Sequence, residues 1–271
     1  MKKIAVCGYT SSVGNKFCKN TKFQIVKIGR KDADVQMDLL DGKATGDINI
    51  LKDCDALINF AALSECDSDA EKNNMIKVNV NGPLFLAELA NEYNIPYIIH
   101  ISSISATYRE TDNFYGYYSI TKKTGEDLLK LYCKQKQIGL CILEPTAMYG
   151  DQSFAKHQKL LYNIINQVRN NETVTLYGKN DAKRNYLDVE ILCSVIEKLL
   201  DKDLQGKYIV ANMKNCSLSE IVDELDSYFG HKSNICFMSE KPDIMDCVIN
   251  DEGKIYDLLE IEKPMGMTFN F

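Results

Sequence analysis

Five short, largely apolar runs, 3–7, 23–28, 56–60, 97–101 and 139–143, recur through the first half of the chain with helix-like patterns between them. Runs of that length suit strands buried on both faces, and strands alternating with helices pack into a parallel sheet covered on both sides. The expected fold class is therefore α/β, with a doubly wound parallel sheet. After residue 150 the alternation stops. Leu160, Leu161, Ile164, Ile165 and Val168 form one helical stripe, and Val174–Tyr177 reads as a strand. Ser217-Leu218-Ser219-Glu220 has the spacing of a capping box, opening a helix to about Phe229 that Gly230 stops. The expected division is an α/β domain over 1–150, with 186–212 returning to it, and a smaller C-terminal lobe from 151–185 and 213–271.

The first run, Lys3–Cys7, leads straight into Gly8-Tyr9-Thr10-Ser11-Ser12-Val13-Gly14. A strand, a glycine turn and a helix start in that order make the phosphate turn of a Rossmann fold. Free backbone N–H groups and the helix dipole then face a pyrophosphate. Gly8 allows the tight turn and Gly14 lets the helix lie close to the sheet. Ser11 stands at the middle glycine of the usual fingerprint, where it narrows the room, and Ser11 or Ser12 could hydrogen-bond a phosphate.

Tyr118 and Lys122 lie four residues apart, on one face of a helix, downstream of Ser102-Ser103. An ammonium beside a phenol favours the phenolate, giving a usable proton donor and acceptor. Glu126, one turn further on, reads as an ordinary helix-surface or interface residue. The helix expected over about 70–94 carries Gly82-Pro83 in its interior. Pro83 has no N–H for the carbonyl of Asn79, so the pair either kinks the helix around the core or keeps that carbonyl free.

In this order the residues resemble the extended short-chain dehydrogenase/reductases, the epimerase/dehydratase type that acts on nucleotide sugars. The resemblance covers most of the chain, and 4-keto-sugar reductases resemble it best. Besides the glycine turn and the Tyr118/Lys122 pair, Asp38-Leu39 is similar to the family's adenine contact. Asn59-Phe60-Ala61-Ala62 is similar to its fourth-strand motif, and Asn79 to its helix asparagine. Glu144-Pro145-Thr146-Ala147-Met148-Tyr149-Gly150 resembles the Arg-Pro-x-x-x-Tyr-Gly segment with Glu144 for the arginine. Arg184-Asn185-Tyr186-Leu187-Asp188-Val189 resembles the Arg-Asp-Phe-x-x-Val segment.

The resemblance implies roles. Tyr118 would be the acid/base, Lys122 would lower its pKa and bond the nicotinamide ribose, and Ser103 would bond the reacting sugar oxygen, with Ser102 and Ser105 as substitutes. Gly8, Thr10, Ser11, Ser12, Val13, Gly14, Arg30, Asp38, Leu39, Ala61, Ala62, Asn79 and Pro145 would complete the cofactor site. Arg184 would hold the substrate diphosphate, with Lys183, Lys156 and Lys159 as weaker candidates. In the family the usual end of the chain is another helix, so a tail that stops at Thr268-Phe269-Asn270-Phe271 implies a smaller or more open lobe. A homodimer through the Asn79 and Tyr118 helices is also implied.

Gly29-Arg30-Lys31, where an acidic residue would hold the ribose of NAD, suits a 2′-phosphate and favours NADP(H) over NAD(H); the plainer reading is a solvated turn, and Asp32 or Asp34 could reach back. Ser103 is followed by Ile104-Ser105 rather than the Asp-Glu of a sugar dehydratase. The combined epimerase-reductases place a cysteine just past the serine pair, and none lies between Ser103 and Tyr118. The expectation is an NADPH-dependent reductase of a 4-keto nucleotide sugar, used in polysaccharide biosynthesis. A 4-epimerase with tightly bound NAD is the alternative. A non-catalytic NADP-sensing regulator would share the turn and lack the Tyr/Lys pair.

Composition narrows the partners. A net charge of −6 disfavours nucleic acid, and there is no apolar run long enough to span a membrane. Ten cysteines without Cys-x-x-Cys spacing suit a reducing cytoplasm. Three scattered histidines, His100, His157 and His231, make a metal centre improbable.

Overall fold

The computed structural model describes residues 1–269; Asn270 and Phe271 of the tail lie outside the described residues. Strands run β1 (Lys3–Cys7), β2 (Gln24–Gly29), β3 (Val35–Asp38), β4 (Lys43–Thr45), β5 (Ala56–Asn59), β6 (Tyr97–Ile101), β7 (Gly139–Pro145), β8 (Ala147–Tyr149), β9 (Val174–Tyr177), β10 (Lys183–Arg184), β11 (Tyr186–Asp188), β12 (Gly206–Val210), β13 (Cys216–Ser217) and β14 (Ile235–Met238). Helices are α1 (Ser12–Asn20), α2 (Asp69–Ile76), α3 (Gly82–Glu92), α4 (Tyr117–Lys136), α5 (Lys159–Arg169), α6 (Val189–Lys202), α7 (Leu218–Phe229) and α8 (Lys254–Leu259).

The chain divides into two compact units, 1–145 with 193–209, and 146–192 with 210–271. The first holds a sheet in the order β12-β7-β6-β5-β1-β2-β3-β4, eight strands wide. From β7 to β3 the strands pair in parallel, and β4 turns back antiparallel on β3. Strand order reverses at β1, with β2 on one side and β5 on the other, which is where an open α/β sheet leaves a crevice beyond its strand ends. Ile4, Ala5, Val6, Ile58, Ile99 and Leu143 are fully buried at its centre.

The helix expected over 70–94 is unbroken but not regular. Between α2 and α3 the segment Lys77–Asn81 is wound as a π turn, with the Gly82 N–H reaching back to the Lys77 carbonyl. Pro83 follows with no N–H to give, and Gly82 lets Leu39 close in, where a Cβ would come to 3.2 Å. The irregular winding brings the Asn79 carbonyl against α4. A Cβ on Gly125 would collide with it.

In the second unit, α5 buries Leu161, Ile164, Ile165 and Val168. Helix α7 is closed by the reciprocal Ser217–Glu220 capping box and by Gly230 in the left-handed conformation, φ 72°. The Asn185 side chain donates to the Asn212 carbonyl, accepts the Asn212 N–H and also donates to the Asn215 side chain, so three asparagines tie β11 to the segments that follow β12. Tyr149 closes the unit by exchanging hydrogen bonds with the backbone of Thr268, at 2.8 and 3.0 Å.

Candidate active site

The glycine turn is fixed by close approach of backbone. Gly8 has φ 80°, and a Cβ there would stand 2.5 Å from the Ala61 nitrogen; a Cβ on Gly14 would collide with the Gly8 carbonyl. Ser11 behaves differently from the expectation that it bonds a phosphate. Its hydroxyl donates to the Gly8 carbonyl at 2.8 Å and accepts the Gly14 N–H at 3.0 Å, making it the N-cap of α1. Both bonding directions are therefore used within the turn. Thr10 is exposed and Ser12 and Val13 are half-buried at the head of the helix.

Around the end of β2, Tyr9 lies against Gly29, and its hydroxyl donates to the Lys31 carbonyl. Arg30 and Lys31 are exposed, while the Asp34 carboxylate is held by the Lys27 N–H at 2.8 Å. Asp38 uses its carboxylate to accept the Leu40 N–H at 2.9 Å, and Leu39 is buried against Gly82. Beyond β5, the Asn59 side chain accepts the Ala61 N–H and bonds the Nδ1 of buried His100 at 3.2 Å. Burial, reinforced by the nearby Lys122 charge, holds His100 well below its usual pKa and keeps it neutral. Asn79 clamps the loop that follows. Its side chain exchanges hydrogen bonds with both backbone groups of Leu63, at 2.9 and 2.8 Å, and donates to Thr121 at 3.2 Å. Ala62 on that loop is exposed, and Pro145 is buried at the end of β7.

The candidate catalytic residues meet where β6 ends and α4 begins. Ser103 faces the Tyr118 phenol, where it favours the charged form, and the Ser103 oxygen accepts the Ser105 N–H at 3.1 Å. Lys122 is buried and donates from Nζ to the Ile101 carbonyl at 2.9 Å. Burial pushes the Tyr118 phenol up, and the Ser103 hydroxyl opposes that push. Burial also lowers Lys122 to about 8, against the pull of Glu126.

Two assignments change. Ser102, a candidate substrate contact, is 5 % exposed, and its hydroxyl donates to Glu126. Glu126 is fully buried rather than on the surface, so its position one turn beyond Lys122 faces inward. Lys207 on β12 meets it at 2.9 Å and Glu144 at 2.6 Å. Sequence reasoning singled out neither Lys207 nor His100; the only signal toward Glu126 was its spacing from Lys122.

Arg184 belongs to the second unit, half-buried on β10 opposite Cys216; Lys183 beside it, and Lys156 and Lys159 near the start of α5, are exposed. Among the described residues no group of three or more His, Cys, Asp or Glu side chains could hold a metal, and no helix is long and apolar enough to cross a membrane. None of the ten cysteines forms a disulfide.

The fit to a dinucleotide is structural. The turn has no room for side chains at Gly8 and Gly14, and the helix head beyond it presents its backbone. Comparisons with known proteins agree. A Methanocaldococcus jannaschii protein described as "Putative UDP-glucose 4-epimerase" is 26% identical over 270 residues, covering 93% of this chain and 80% of its own. The fold matches UDP-N-acetylglucosamine 4-epimerase from Bacillus cereus with a TM-score of 0.76 at 22% identity, over 98% of this chain and 92% of that one. It matches RMD from Pseudomonas aeruginosa, complexed with NADPH, with a TM-score of 0.71 at 16% identity, over 98% and 95%. The sequence pattern that defines the family spans residues 4–212, from β1 to just past β12, and so takes in the glycine turn, the β6 end and α4 alike. On that match the chain belongs to the NAD dependent epimerase/dehydratase family.

Proposed function

We propose that this chain is a nucleotide-sugar 4-epimerase that keeps its nicotinamide cofactor bound through the cycle. The observation that carries the reading is Ser103 facing the Tyr118 phenol, with Lys122 buried one turn along α4. The 4-epimerase relatives move the choice from the reductase expected on sequence to the epimerase. Gly8, Ser12 and Val13 hold the pyrophosphate side through backbone groups, with Gly14 keeping α1 close to the turn and Thr10 at the rim. Asp38 and Leu39 flank the adenine, Ala61, Ala62 and Pro145 line the strand ends, and Asn79 holds the Ala61–Leu63 loop in place. When bound, the dinucleotide supplies the acceptor and donor of hydride at the sugar carbon.

Tyr118 takes the proton of the sugar hydroxyl at its Oη and gives it back when the carbonyl is reduced from the other face. Ser103 donates to the same oxygen and holds it against Tyr118 while the proton moves between that oxygen and the Tyr118 Oη. Lys122 supplies positive charge under the phenol. We further propose that the second unit carries the substrate, with Arg184 on its diphosphate and Lys183, Lys156 and Lys159 in support. Helix α4 exposes Tyr117, Ile120, Leu128 and Leu131 along one side, a stripe suited to the α4 of a second copy in a homodimer.

Arg30 and Lys31, exposed at the end of β2 with Asp34 tied to Lys27, favour a second reading, an NADP-dependent 4-keto reductase. One experiment separates them. Denatured protein is analysed for released NAD or NADP, and intact protein is incubated with UDP-glucose, UDP-N-acetylglucosamine and UDP-glucuronic acid without added reductant. Interconversion with the 4-epimer supports the epimerase. No conversion, together with oxidation of NADPH by a 4-keto-6-deoxy nucleotide sugar, overturns it.

A further inference from the structure

Beneath the Ser103–Tyr118 pair lies a group of charges that catalysis as described does not use. Glu126 on α4 is 0 % exposed and Glu144 on β7 is 2 % exposed. Two carboxylates removed from water this completely demand a cation or a proton. Lys207 supplies the cation from β12, with its side chain 29 % exposed, donating to Glu126 at 2.9 Å and to Glu144 at 2.6 Å. The other Glu126 oxygen accepts the Ser102 hydroxyl. Glu126 therefore touches the residue next to Ser103 in the chain and sits one turn from Lys122 on its helix.

We infer that Lys207 is a positioning residue for the candidate catalytic centre: by anchoring Glu126 it fixes the Ser102–Ser103 strand end and the negative charge that faces Lys122. This rests on the proposed role of Ser103, Tyr118 and Lys122. The charged and titratable groups around Lys122 are Glu126 and the Tyr118 phenol, one turn to either side on its own helix, and His100 on β6. His100 is neutral, so Glu126 supplies the opposing charge. Without Lys207 the two carboxylates lose the cation that bonds them both, Glu144 is left to hold a proton, and Ser102 loses a fixed acceptor. Burial already pushes Glu144 up to about 7, and Lys207 works against that push.

The test uses Lys207→Met, which keeps the apolar stem, Lys207→Arg, which keeps the charge, and Glu126→Gln, which keeps the shape. With the substrate found above, Lys207→Met lowers kcat roughly tenfold to hundredfold, the scale of a misplaced catalytic group, with KM within about twofold. Lys207→Arg recovers to within about threefold of wild type. Amide hydrogen exchange over Ser102–Ser105 speeds up in Lys207→Met by about tenfold or more. Glu126→Gln makes Lys122 lose its proton at lower pH than wild type, read by lysine ammonium NMR. Exchange and NMR need no substrate, so they decide the inference even where every nucleotide sugar fails. A Lys207→Met protein with wild-type kcat and strand-end exchange and altered melting alone overturns it. If that variant does not fold, Glu126→Gln decides: an unmoved Lys122 midpoint overturns the inference, a lowered one upholds it.

Discussion

Two parts of the first unit shape the same candidate site by opposite means. At the glycine turn the fit comes from atoms that are missing: Gly8 and Gly14 leave room for backbone to meet backbone, and Ser11 spends its hydroxyl inside the turn. At the end of β6 the fit comes from charges taken out of water, with Lys122 on a carbonyl and Glu126 between Ser102 and Lys207. The first arrangement resists change through sterics and is indifferent to pH. The second is electrostatic and titrates.

Replacing Tyr118 by Phe leaves the packing and removes one hydroxyl. The expected loss of turnover is roughly 10²–10⁴-fold, the usual share of a general acid/base, with the melting temperature nearly unchanged. Steady-state assay and thermal melting check it together; a variant that keeps wild-type turnover removes Tyr118 from the chemistry. Gly14→Ala attacks the turn. Forcing a Cβ against the Gly8 carbonyl costs about 1–3 kcal/mol and displaces the turn from the dinucleotide. Urea unfolding and titration with NADH report the two effects, and an alanine accepted without either would mean the turn is looser than its contacts.

Ser11→Ala removes the N-cap without adding bulk and costs about 1 kcal/mol by urea unfolding. The smallest effect is one of shape. Glu144 is raised to about 7 from 4.5, so the folded chain holds a proton that the unfolded chain releases. Its contribution to stability is complete below the unfolded value of 4.5 and is lost as pH rises through about 7. Glu144→Gln flattens that fall in a series of denaturation curves at increasing pH; an identical slope would show that the carboxylate titrates normally.

The turn and the Tyr118–Lys122 pair were legible because each fits inside one short stretch of sequence, where a turn or a single helical face sets the geometry. The capping box at Ser217–Glu220 and its stop at Gly230 were legible for the same reason. The Glu126–Lys207 contact spans 81 residues and joins a helix to an edge strand, so no local pattern announces it. Strand β3 alternates buried and exposed residues and β12 is mostly unburied, so neither shows the apolar run by which the central strands were found. The π turn at Lys77–Asn81 escaped because Pro83 marks only that a helix is interrupted, not how it is wound.

Strand β12 also sets the order of events in synthesis. Its neighbour β7 is complete at residue 145, yet β12 begins only at Gly206, after the chain has passed through the first stretch of the second unit. Until then a nascent first unit carries β7 as an open edge, and Glu126 and Glu144 wait without their lysine. An N-terminal fragment ending at Pro145 would stay in that state, with an unpaired edge that invites association with other chains. The last strand of the sheet is thus also the point at which the growing polypeptide stops being sticky.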